Sequence, residues 1–363
     1  MSATRAPRPR ADRWRRVAAL GALALGLALA SACDGPGAAA SGAPAPSTRH
    51  APAASVAGAS SARSAASAVP SAPPSASEAP PVASSRPGVP RIYALGDLHG
   101  DLDAMRETLA QAGLVDAADH WSGGDAVLVQ LGDILDREDH EREILDLFAR
   151  LEDEARAAGG SVVLLNGNHE YQNVAGDFRY VTPGGFRAFA DLDDGAPALR
   201  SHPPEQRGRC AAFRPGGKYA RYLAQHPMVL ELAGNVFVHG GLLPKHVTRG
   251  VARLNAEAAA FLRGESPATY GFLADWDSPV MMRHYSDHPT AGHCAVLGQA
   301  LAGLGARRMV VGHTPQLGGI ASYCDGRVWA VDACLGSVCG SRRELLVIEG
   351  DAVRTLAAPP RPR

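Results

Sequence analysis

Five short clusters in this 363-residue chain each follow an apolar run and contain side chains that bind metals or transfer protons. In chain order they are Gly96-Asp97-Leu98-His99-Gly100, Gly132-Asp133-Ile134-Leu135-Asp136-Arg137, Asn166-Gly167-Asn168-His169-Glu170, His239-Gly240-Gly241 and Gly312-His313-Thr314. The runs before them, at 91–95, 126–131, 161–165, 236–238 and 309–311, are typical of buried β-strands. Such strands deliver polar side chains to the carboxyl edge of a sheet, where open α/β folds bind ligands. The sequence therefore predicts an α/β fold with one site built at several strand ends.

Each cluster alone has a simpler interpretation. Gly-Asp pairs are common turns, Asn168 alone is typical of a turn or helix cap, and an isolated histidine such as His239 is more often a core residue than a ligand. Arg137 alone would be assigned to an exposed charged face, since most of its neighbours are charged. These interpretations would have to hold separately five times, so we favour a single site.

The residue types in the clusters suit two metal ions. Asp97 and His99 alternate on one extended segment and can reach the same ion, while Asp133 can bridge two ions through its two oxygens. The complete predicted metal-binding set is Asp97, His99, Asp133, Asn168, His239 and His313. Mixed carboxylate, imidazole and amide ligands favour the first-row metals Mn, Fe or Zn over copper or calcium.

In order and content, the five clusters resemble the calcineurin-like metallophosphoesterase superfamily, whose pattern reads GDxHG, GDxxDR, GNHE, H and GH. Glu170 and the segment after His239 are similar to the phosphoprotein phosphatase branch, and the clusters most resemble the bacterial-type Shewanella-like protein phosphatases. The resemblance spans roughly residues 90–350. It implies an α/β fold of two stacked mixed β-sheets flanked by helices, the α/β/β/α sandwich of metallophosphoesterases.

The remaining polar side chains of the clusters predict phosphate-ester hydrolysis. Two-metal sites clamp a phosphoryl oxygen and supply hydroxide near neutral pH, and in-line attack needs a proton for the departing oxygen. His169 directly follows a metal ligand and is the predicted general acid, with Asp136 orienting its ring and Arg137 binding phosphate. The resemblance implies the same acid and orienting carboxylate and a metal-bridging hydroxide as the attacking group. It also indicates Arg283 as a second phosphate-binding arginine.

The leading hypothesis is a dinuclear-metal phosphomonoesterase that hydrolyses phosphorylated proteins or peptides, with a preference for phosphotyrosine. The alternatives are a dinucleoside-polyphosphate hydrolase or phosphodiesterase on the same scaffold, and a tethered binding protein whose metal site is only structural. Asp136 and His169 argue against the last, because neither is needed merely to bind metal. The net charge of −1 gives no indication of nucleic-acid binding, and the sequence does not indicate an oligomeric state.

Residues 1–33 have the composition of an export signal. Six arginines precede an apolar stretch from Val17 to Ala30, which is shorter than the ~20 residues of a membrane-spanning helix. Cys33 follows small residues as in a lipobox, so we expect a cell-envelope lipoprotein, periplasmic or at the outer surface, with a membrane tether through lipid on Cys33. Ordinary cleavage after Ala32 is the alternative and would give a soluble periplasmic protein. Residues 34–88, rich in Ala, Ser and Pro, predict a disordered linker.

Residues 89–357 form the predicted catalytic domain, which is long but acceptable for one α/β fold. Within it, residues 176–226 show short helical patterns around Pro-Gly turns and are expected to form a cap or insertion over the site. Asp325-Gly326 and Gly350-Asp351 predict two hairpins near the C-terminus. Five cysteines follow Cys33, and this odd number leaves at least one outside intramolecular disulfides, whose connectivity the sequence does not indicate.

Two positions depart from the pattern of the related phosphatases. Glu138 occupies a position where they usually have glycine, which would strain the loop if that position needs a positive φ. Asn166 replaces the arginine that precedes GNHE in the eukaryotic serine/threonine enzymes, and this removes one phosphate-binding cation. Both departures favour the bacterial-type branch and weaken any transfer of serine/threonine preference.

Overall fold

Ten β-strands in two five-stranded sheets form the centre of the part of the chain that the computed structural model describes, residues 91–336, 339–340 and 342–357. The predicted export signal (1–33) and linker (34–88) lie outside these residues. The architecture is α/β, with two mixed sheets flanked by helices, as the sequence predicted.

The first sheet has the strand order β10-β9-β1-β2-β3. Its members are β1 (Arg91–Leu95), β2 (Val127–Gln130), β3 (Ser161–Leu164), β9 (Glu344–Glu349) and β10 (Ala352–Ala357). Strands β1, β2 and β3 are parallel, whereas β9 and β10 run antiparallel as a hairpin at one edge. The parallel strands therefore end at the same edge of the sheet, where the first three sequence clusters begin.

The second sheet has the strand order β4-β5-β6-β8-β7. Its members are β4 (Val229–Leu232), β5 (Asn235–Val238), β6 (Arg308–Val311), β7 (Ala321–Tyr323) and β8 (Val328–Ala330). Strands β5, β6 and β8 are parallel, and the outer strands β4 and β7 are antiparallel to their neighbours. The fourth and fifth sequence clusters follow β5 and β6.

The two sheets stack face to face through a core of alternating side chains. On β1, Ile92 and Ala94 belong to the cluster between the sheets, together with Phe237 and Val310 from the second sheet. Tyr93 and Leu95 point the other way, into a larger cluster that includes the flanking helices. This alternation is the two-residue period of a strand buried on both faces, which is why residues 92–95 of β1 are all hydrophobic.

Ten α-helices cover the sheets within the described residues. They are α1 (Leu102–Gln111), α2 (Glu141–Ala157), α3 (Asn168–Val174), α4 (Pro183–Arg187), α5 (Pro204–Phe213), α6 (Lys218–Leu223), α7 (Pro244–Arg249), α8 (Val251–Leu262), α9 (Thr269–Leu273) and α10 (Ala291–Leu304). Helix α2 is amphipathic. Its buried face contains residues at helical spacing, namely Ile144, Phe148, Leu151 and Ala155. No helix in this part of the chain combines the length and the apolar character that a membrane span requires.

Residues 176–226, the expected cap, form a helical insertion between β3 and β4. It contains α4, α5, α6 and two 3₁₀ helices at Ala190–Leu192 and Pro197–Ser201. Phe189, Phe213 and Tyr219 form its aromatic core, with ring centroids 5.0–5.7 Å apart. These rings belong to the larger cluster that includes the flanking helices, so the insertion packs against the rest of the domain.

The two late hairpins form as β7–β8 and β9–β10. Cys324, Asp325 and Gly326 all have positive φ, so the turn begins one residue before the predicted Asp-Gly pair. Cys324 is also disulfide-bonded to Cys294 at the start of α10. This cross-link ties the hairpin to the helix that precedes β6.

Candidate metal centre

The six predicted metal ligands lie together at the carboxyl ends of three parallel strands of the first sheet and two parallel strands of the second. Asp97 and His99 follow β1, Asp133 follows β2, Asn168 follows β3, His239 follows β5 and His313 follows β6. His99 is partly exposed and the other five are buried. Both sheets therefore contribute ligands, and the site lies where the two carboxyl edges meet.

The loops after β2 and β3 approach so closely that glycine is required in both. A Cβ atom on Gly132, whose φ is +95°, would lie 2.4 Å from the backbone nitrogen of Gly167. A Cβ on Gly167 would in turn lie 2.2 Å from Oδ1 of Asp133. Glu170 braces the same region by accepting the backbone N–H groups of Asp133 and Ile134 at 2.8 and 2.9 Å. These contacts place Asp133 at the centre of the site.

Three imidazoles surround the Asp133 carboxylate. Its Oδ2 lies 3.2 Å from Nε2 of His239, 3.8 Å from Nε2 of His169 and 3.9 Å from Nε2 of His99. Burial opposes ionisation of Asp133, but His239 and the other imidazoles hold its pKa well below the usual range. Asp133 is thus the common point of the cluster, as expected for a carboxylate that bridges two ions.

Backbone carbonyls fix which nitrogen of each histidine is available. Nδ1 of His99 donates to the carbonyl of Leu135 at 2.9 Å, and Nδ1 of His239 donates to the carbonyl of Leu131 at 2.7 Å. The Nε2 atoms of both rings are therefore left for ligation. This is the arrangement usual in metal sites, where the non-ligating nitrogen donates to a carbonyl or carboxylate.

His313 is held in the opposite orientation. Its Nε2 donates to the carbonyl of Met281 at 3.0 Å, so Nδ1 is the nitrogen available for a metal. The backbone N–H of His313 also donates to Oδ1 of Asp97 at 3.1 Å, which links the ends of β6 and β1. Asn168 points its Oδ1 to within 3.1 Å of Nε2 of His239. An amide and a carboxylate thus flank the imidazoles.

The geometry gives two overlapping metal-binding groups that share Asp133. One group consists of His99, Asp133 and His169, and the other of Asp133, His239 and His313, with ligand atoms in each group within 4.8 Å of one another. Asp133 favours the ionised form, whereas burial and the neighbouring Asp332 raise the pKa of Asp97. Burial lowers the pKa of His239, but Asp133 and Asp97 raise it to about 10. Oxygen and imidazole donors around buried negative charge fit first-row cations.

His169 is hydrogen-bonded to Asp136 beside this centre. Nδ1 of His169 lies 2.6 Å from Oδ2 of Asp136, and Nε2 lies 3.5 Å from Nη2 of Arg137. Burial tends to lower the pKa of His169, but Asp133 and Asp136 raise it overall. The His169–Asp136 contact suits both an oriented acid and a metal ligand, so metal analysis of a His169 variant must separate the two roles.

The loop with Asp136 and Arg137 has the strained backbone, but not at the position that the sequence indicated. Asp136 and Arg137 have φ of 71° and 76°, whereas Glu138 is not among the residues with positive φ. The left-handed backbone conformation therefore occurs at the two residues whose side chains have the predicted functions. Such strain is characteristic of functional loops, and here the surrounding contacts maintain it.

These side chains face one cavity of about 270 Å³. Besides candidate ligands and His169, its lining includes Arg137, Arg283, Tyr180 and Trp276. Arg283 donates to the carbonyl of His313 at 2.6 Å, which places this arginine beside the second metal-binding group. Asp136 lies behind His169 and is fully buried. His239 is likewise fully buried, on the inner side of the site.

Sequence reasoning missed Asp332, which lines the same cavity. Asp332 follows β8, the third parallel strand of the second sheet, and burial raises its pKa to about 6. The signal was present, since an apolar run at 328–331 precedes this acidic residue as in the other clusters. The cavity wall beyond it contains the disulfide between Cys334 and Cys339.

Comparison with known proteins agrees with this geometry. Residues 90–317 match the calcineurin-like phosphoesterase family. Shewanella-like protein phosphatase 2 of Arabidopsis thaliana is 36% identical over 305 residues, which cover 74% of this chain and 78% of that protein. Shewanella-like protein phosphatase 1 of Plasmodium berghei is 28% identical over 251 residues, covering 67% of this chain and 66% of that protein.

A solved structure shares the same arrangement of sheets and helices. The crystal structure of a cold-active protein-tyrosine phosphatase from a psychrophilic Shewanella species has a TM-score of 0.60 and 25% identity to this chain. The similarity covers 74% of this chain and 81% of that one. From the matched family, the similar proteins and the five strand-end clusters, we conclude that this chain belongs to the calcineurin-like phosphoesterase family, in which it is similar to the Shewanella-like protein phosphatases.

Proposed function

We propose that this protein is a metal-dependent phosphomonoesterase that acts on phosphorylated proteins or peptides, with phosphotyrosine as the preferred residue. The observation that carries the proposal is a cavity of about 270 Å³ that brings together residues of both metal-binding groups, His169 and two arginines. This is the set of parts that hydrolysis of a phosphate ester needs: a clamp for the phosphoryl group, charge stabilisation and a proton donor.

Different residues of the chain bind the metals, bind the phosphate and donate the proton. Asp97, His99, Asp133, Asn168, His239 and His313 would hold two ions, for which we propose Mn, Fe or Zn. Such ions, when bound, polarise phosphoryl oxygens and lower the pKa of bound water. Arg137 and Arg283 bind the phosphate oxygens from the cavity wall. His169, with Nδ1 hydrogen-bonded to Asp136, directs Nε2 toward the cavity and donates its proton to the departing oxygen.

Two exposed aromatic side chains support an aromatic phosphate ester as the substrate. Tyr180 and Trp276 both line the cavity, yet 44% and 82% of their surfaces are exposed. Ligand-binding cavities are typically lined by hydrophobic and aromatic side chains with a few polar groups. The ring of Tyr180 lies 5.1 Å from the ring of His169, close to where a leaving group must depart. A phosphotyrosine ring can pack against these aromatic groups, whereas a phosphoserine side chain offers little area.

Hydrolysis assays on purified protein with added Mn test the proposal. We expect turnover of p-nitrophenyl phosphate and of phosphopeptides, with phosphotyrosine cleaved at higher kcat/KM than phosphoserine in the same peptide. Diadenosine tetraphosphate is the comparison that matters most, because a dinucleoside-polyphosphate hydrolase would favour it. Preference for that substrate would replace the proposal, and no turnover of any phosphate ester with Mn, Fe or Zn would overturn it.

We also propose that the chain is exported and anchored through Cys33. The two disulfides, Cys294–Cys324 and Cys334–Cys339, support this proposal, because disulfides persist mainly in oxidising compartments. Cys210 is buried and takes part in neither disulfide. Cys210 is therefore the cysteine after Cys33 that lies outside the two intramolecular disulfides.

A further inference from the structure

Arg209 is a buried charged residue that no sequence motif indicated. It lies on α5 of the helical insertion, and its side chain is 0% exposed. Its guanidinium carbon lies 5.3 Å from the ring centroid of Phe189 and 5.1 Å from that of Phe213. Burial of an arginine costs desolvation free energy unless its N–H groups are hydrogen-bonded. The hydrogen-bond partners of Arg209 therefore indicate its role.

One hydrogen-bond partner of Arg209 is Asp136, the carboxylate that contacts the predicted general acid His169. Nη2 of Arg209 donates to Oδ1 of Asp136 at 3.1 Å, and Nε donates to Oδ1 of Asn173 at 2.8 Å. Asn173 in turn donates from Nδ2 to the same Oδ1 of Asp136 at 3.0 Å. Oδ2, the other oxygen of Asp136, is the one that accepts Nδ1–H of His169 at 2.6 Å. Two donors therefore hold one oxygen while the second faces the imidazole.

Glu141 fixes the position of the guanidinium itself. Both of its carboxylate oxygens accept from Arg209, with Nη2 at 3.2 Å from Oε1 and a short contact between Nη1 and Oε2. Nη1 also donates to the carbonyl of Gly185 in the insertion at 3.1 Å. Glu141 further accepts the backbone N–H of Asp136, in the loop with positive φ. The forked contact gives the arginine one orientation, which a lysine could not reproduce.

We infer that Arg209 is a positioning residue for the Asp136–His169 pair, and that it is the side chain through which the insertion acts on this pair. This inference rests on the proposed function, in which His169 donates a proton to the departing oxygen. With Oδ1 held by Arg209 and Asn173, the Asp136 carboxylate cannot rotate, and Oδ2 stays aimed at Nδ1 of His169. The ring then keeps the tautomer and orientation that direct Nε2–H toward the substrate.

The test compares Arg209→Lys with wild type on two aryl phosphates that differ in leaving group. Phenyl phosphate needs a proton on its departing oxygen, whereas p-nitrophenyl phosphate hardly needs one. We expect kcat on phenyl phosphate to fall ~10- to 100-fold and kcat on p-nitrophenyl phosphate to fall less than about threefold, with KM and metal content unchanged. Arg207→Met, which alters a neighbouring arginine of α5 that contacts backbone carbonyls of the insertion, is the matched control and should leave both rates unchanged.

Combination with Asp136→Asn separates positioning from a merely structural role. If Arg209 acts through Asp136, Arg209→Lys should cost no more than about twofold once Asp136 is changed. Asn173→Ala, which removes the second donor to Oδ1, should show the same leaving-group dependence and serves if Arg209→Lys does not fold. Equal losses on both esters, or full additivity with Asp136→Asn, would overturn the inference.

A spectroscopic measurement keeps the inference independent of turnover. In zinc-loaded, ¹⁵N-histidine-labelled protein, the Nδ1–H resonance of His169 can be assigned by its absence in His169→Asn. We expect this resonance to shift or broaden in Arg209→Lys and Asn173→Ala but not in Arg207→Met. If wild type hydrolyses neither ester, the proposed function is wrong, while an unchanged resonance in both positioning variants shows that the inference itself is wrong.

Discussion

Nε2 of His239 lies 3.2 Å from Oδ2 of Asp133, so that residues from the ends of the two sheets meet at one carboxylate. Asp133 follows β2 of the first sheet and His239 follows β5 of the second. The assignment of Asp133 as the bridging ligand depends on this position between the two metal-binding groups.

Asp133→Asn should therefore remove metal and activity together. The neutral amide keeps the size of the side chain but loses the charge that two cations share, so we expect fewer than about one ion per chain where wild type holds about two. Metal analysis after dialysis measures this, with Asp153→Asn on the exposed face of α2 as the control. Full occupancy in Asp133→Asn would exclude the bridging role.

His169→Asn should keep its metals and lose most turnover on poor leaving groups. General-acid catalysis typically contributes ~10²–10⁴-fold, so we expect a loss in this range on phenyl phosphate and a smaller one on p-nitrophenyl phosphate. Metal content and both rates are measured on the same preparation. If the variant loses an ion, His169 belongs to the metal-binding group with His99 rather than to the proton-transfer pair.

Phosphotyrosine peptides should be cleaved with a kcat/KM ~10-fold or more above that of phosphoserine peptides of the same sequence, which corresponds to about 1.4 kcal/mol. Trp276→Ala should lower kcat/KM for the phosphotyrosine peptide ~2- to 10-fold, since aromatic pairs contribute about 0.5–1.5 kcal/mol, and should hardly change phosphoserine hydrolysis. Leu317→Ala, at an exposed apolar residue outside the catalytic cavity, is the control. Equal efficiency on both peptides would leave only the broader phosphatase proposal.

His246 should make the stability of the fold depend on pH. Its Nδ1 accepts the backbone N–H of Leu243 at the start of α7, and burial lowers the pKa of His246 to about 4. Because this folded-state pKa lies below the value of about 6.5 in unfolded chains, the stabilisation is complete above that value and is lost as pH falls toward 4. His246→Gln keeps an acceptor at the same place without a titration. We expect the Tm of wild type to fall more than that of the variant between pH 7.5 and 5, and parallel curves would contradict the assignment.

Cys33→Ser should release the protein from the membrane fraction. The sequence predicts lipid on Cys33 and no other membrane-binding element in the linker at 34–88. Fractionation of cells that express either form measures the distribution, with Cys210→Ser as the control for loss of a cysteine. A variant that stays in the membrane pellet would rule out the lipobox interpretation.

The sequence predicted the strand ends well because their signals are local. Asp97, Asp133 and Asn168 each lie a few residues after an apolar run, and the fold brings these ends together because parallel strands finish at the same edge. Arg209 could not be found in this way, since its contact with Asp136 joins residues 73 positions apart through an insertion without a motif. The pairing of Cys294 with Cys324 likewise depends on how α10 packs against a hairpin, which residue spacing does not determine.

Ligands supplied by both sheets also make metal binding a contribution to folding. In the unfolded chain Asp97 and His313 are separated by more than two hundred residues, so the complete ligand set exists only after the sheets have stacked. Ions that bind only the folded form shift the unfolding equilibrium by mass action, by about 1.4 kcal/mol for each ion and each tenfold rise in free metal above Kd. The fraction of folded protein should therefore rise with the free metal concentration. Removal of the metal by a chelator should lower the Tm.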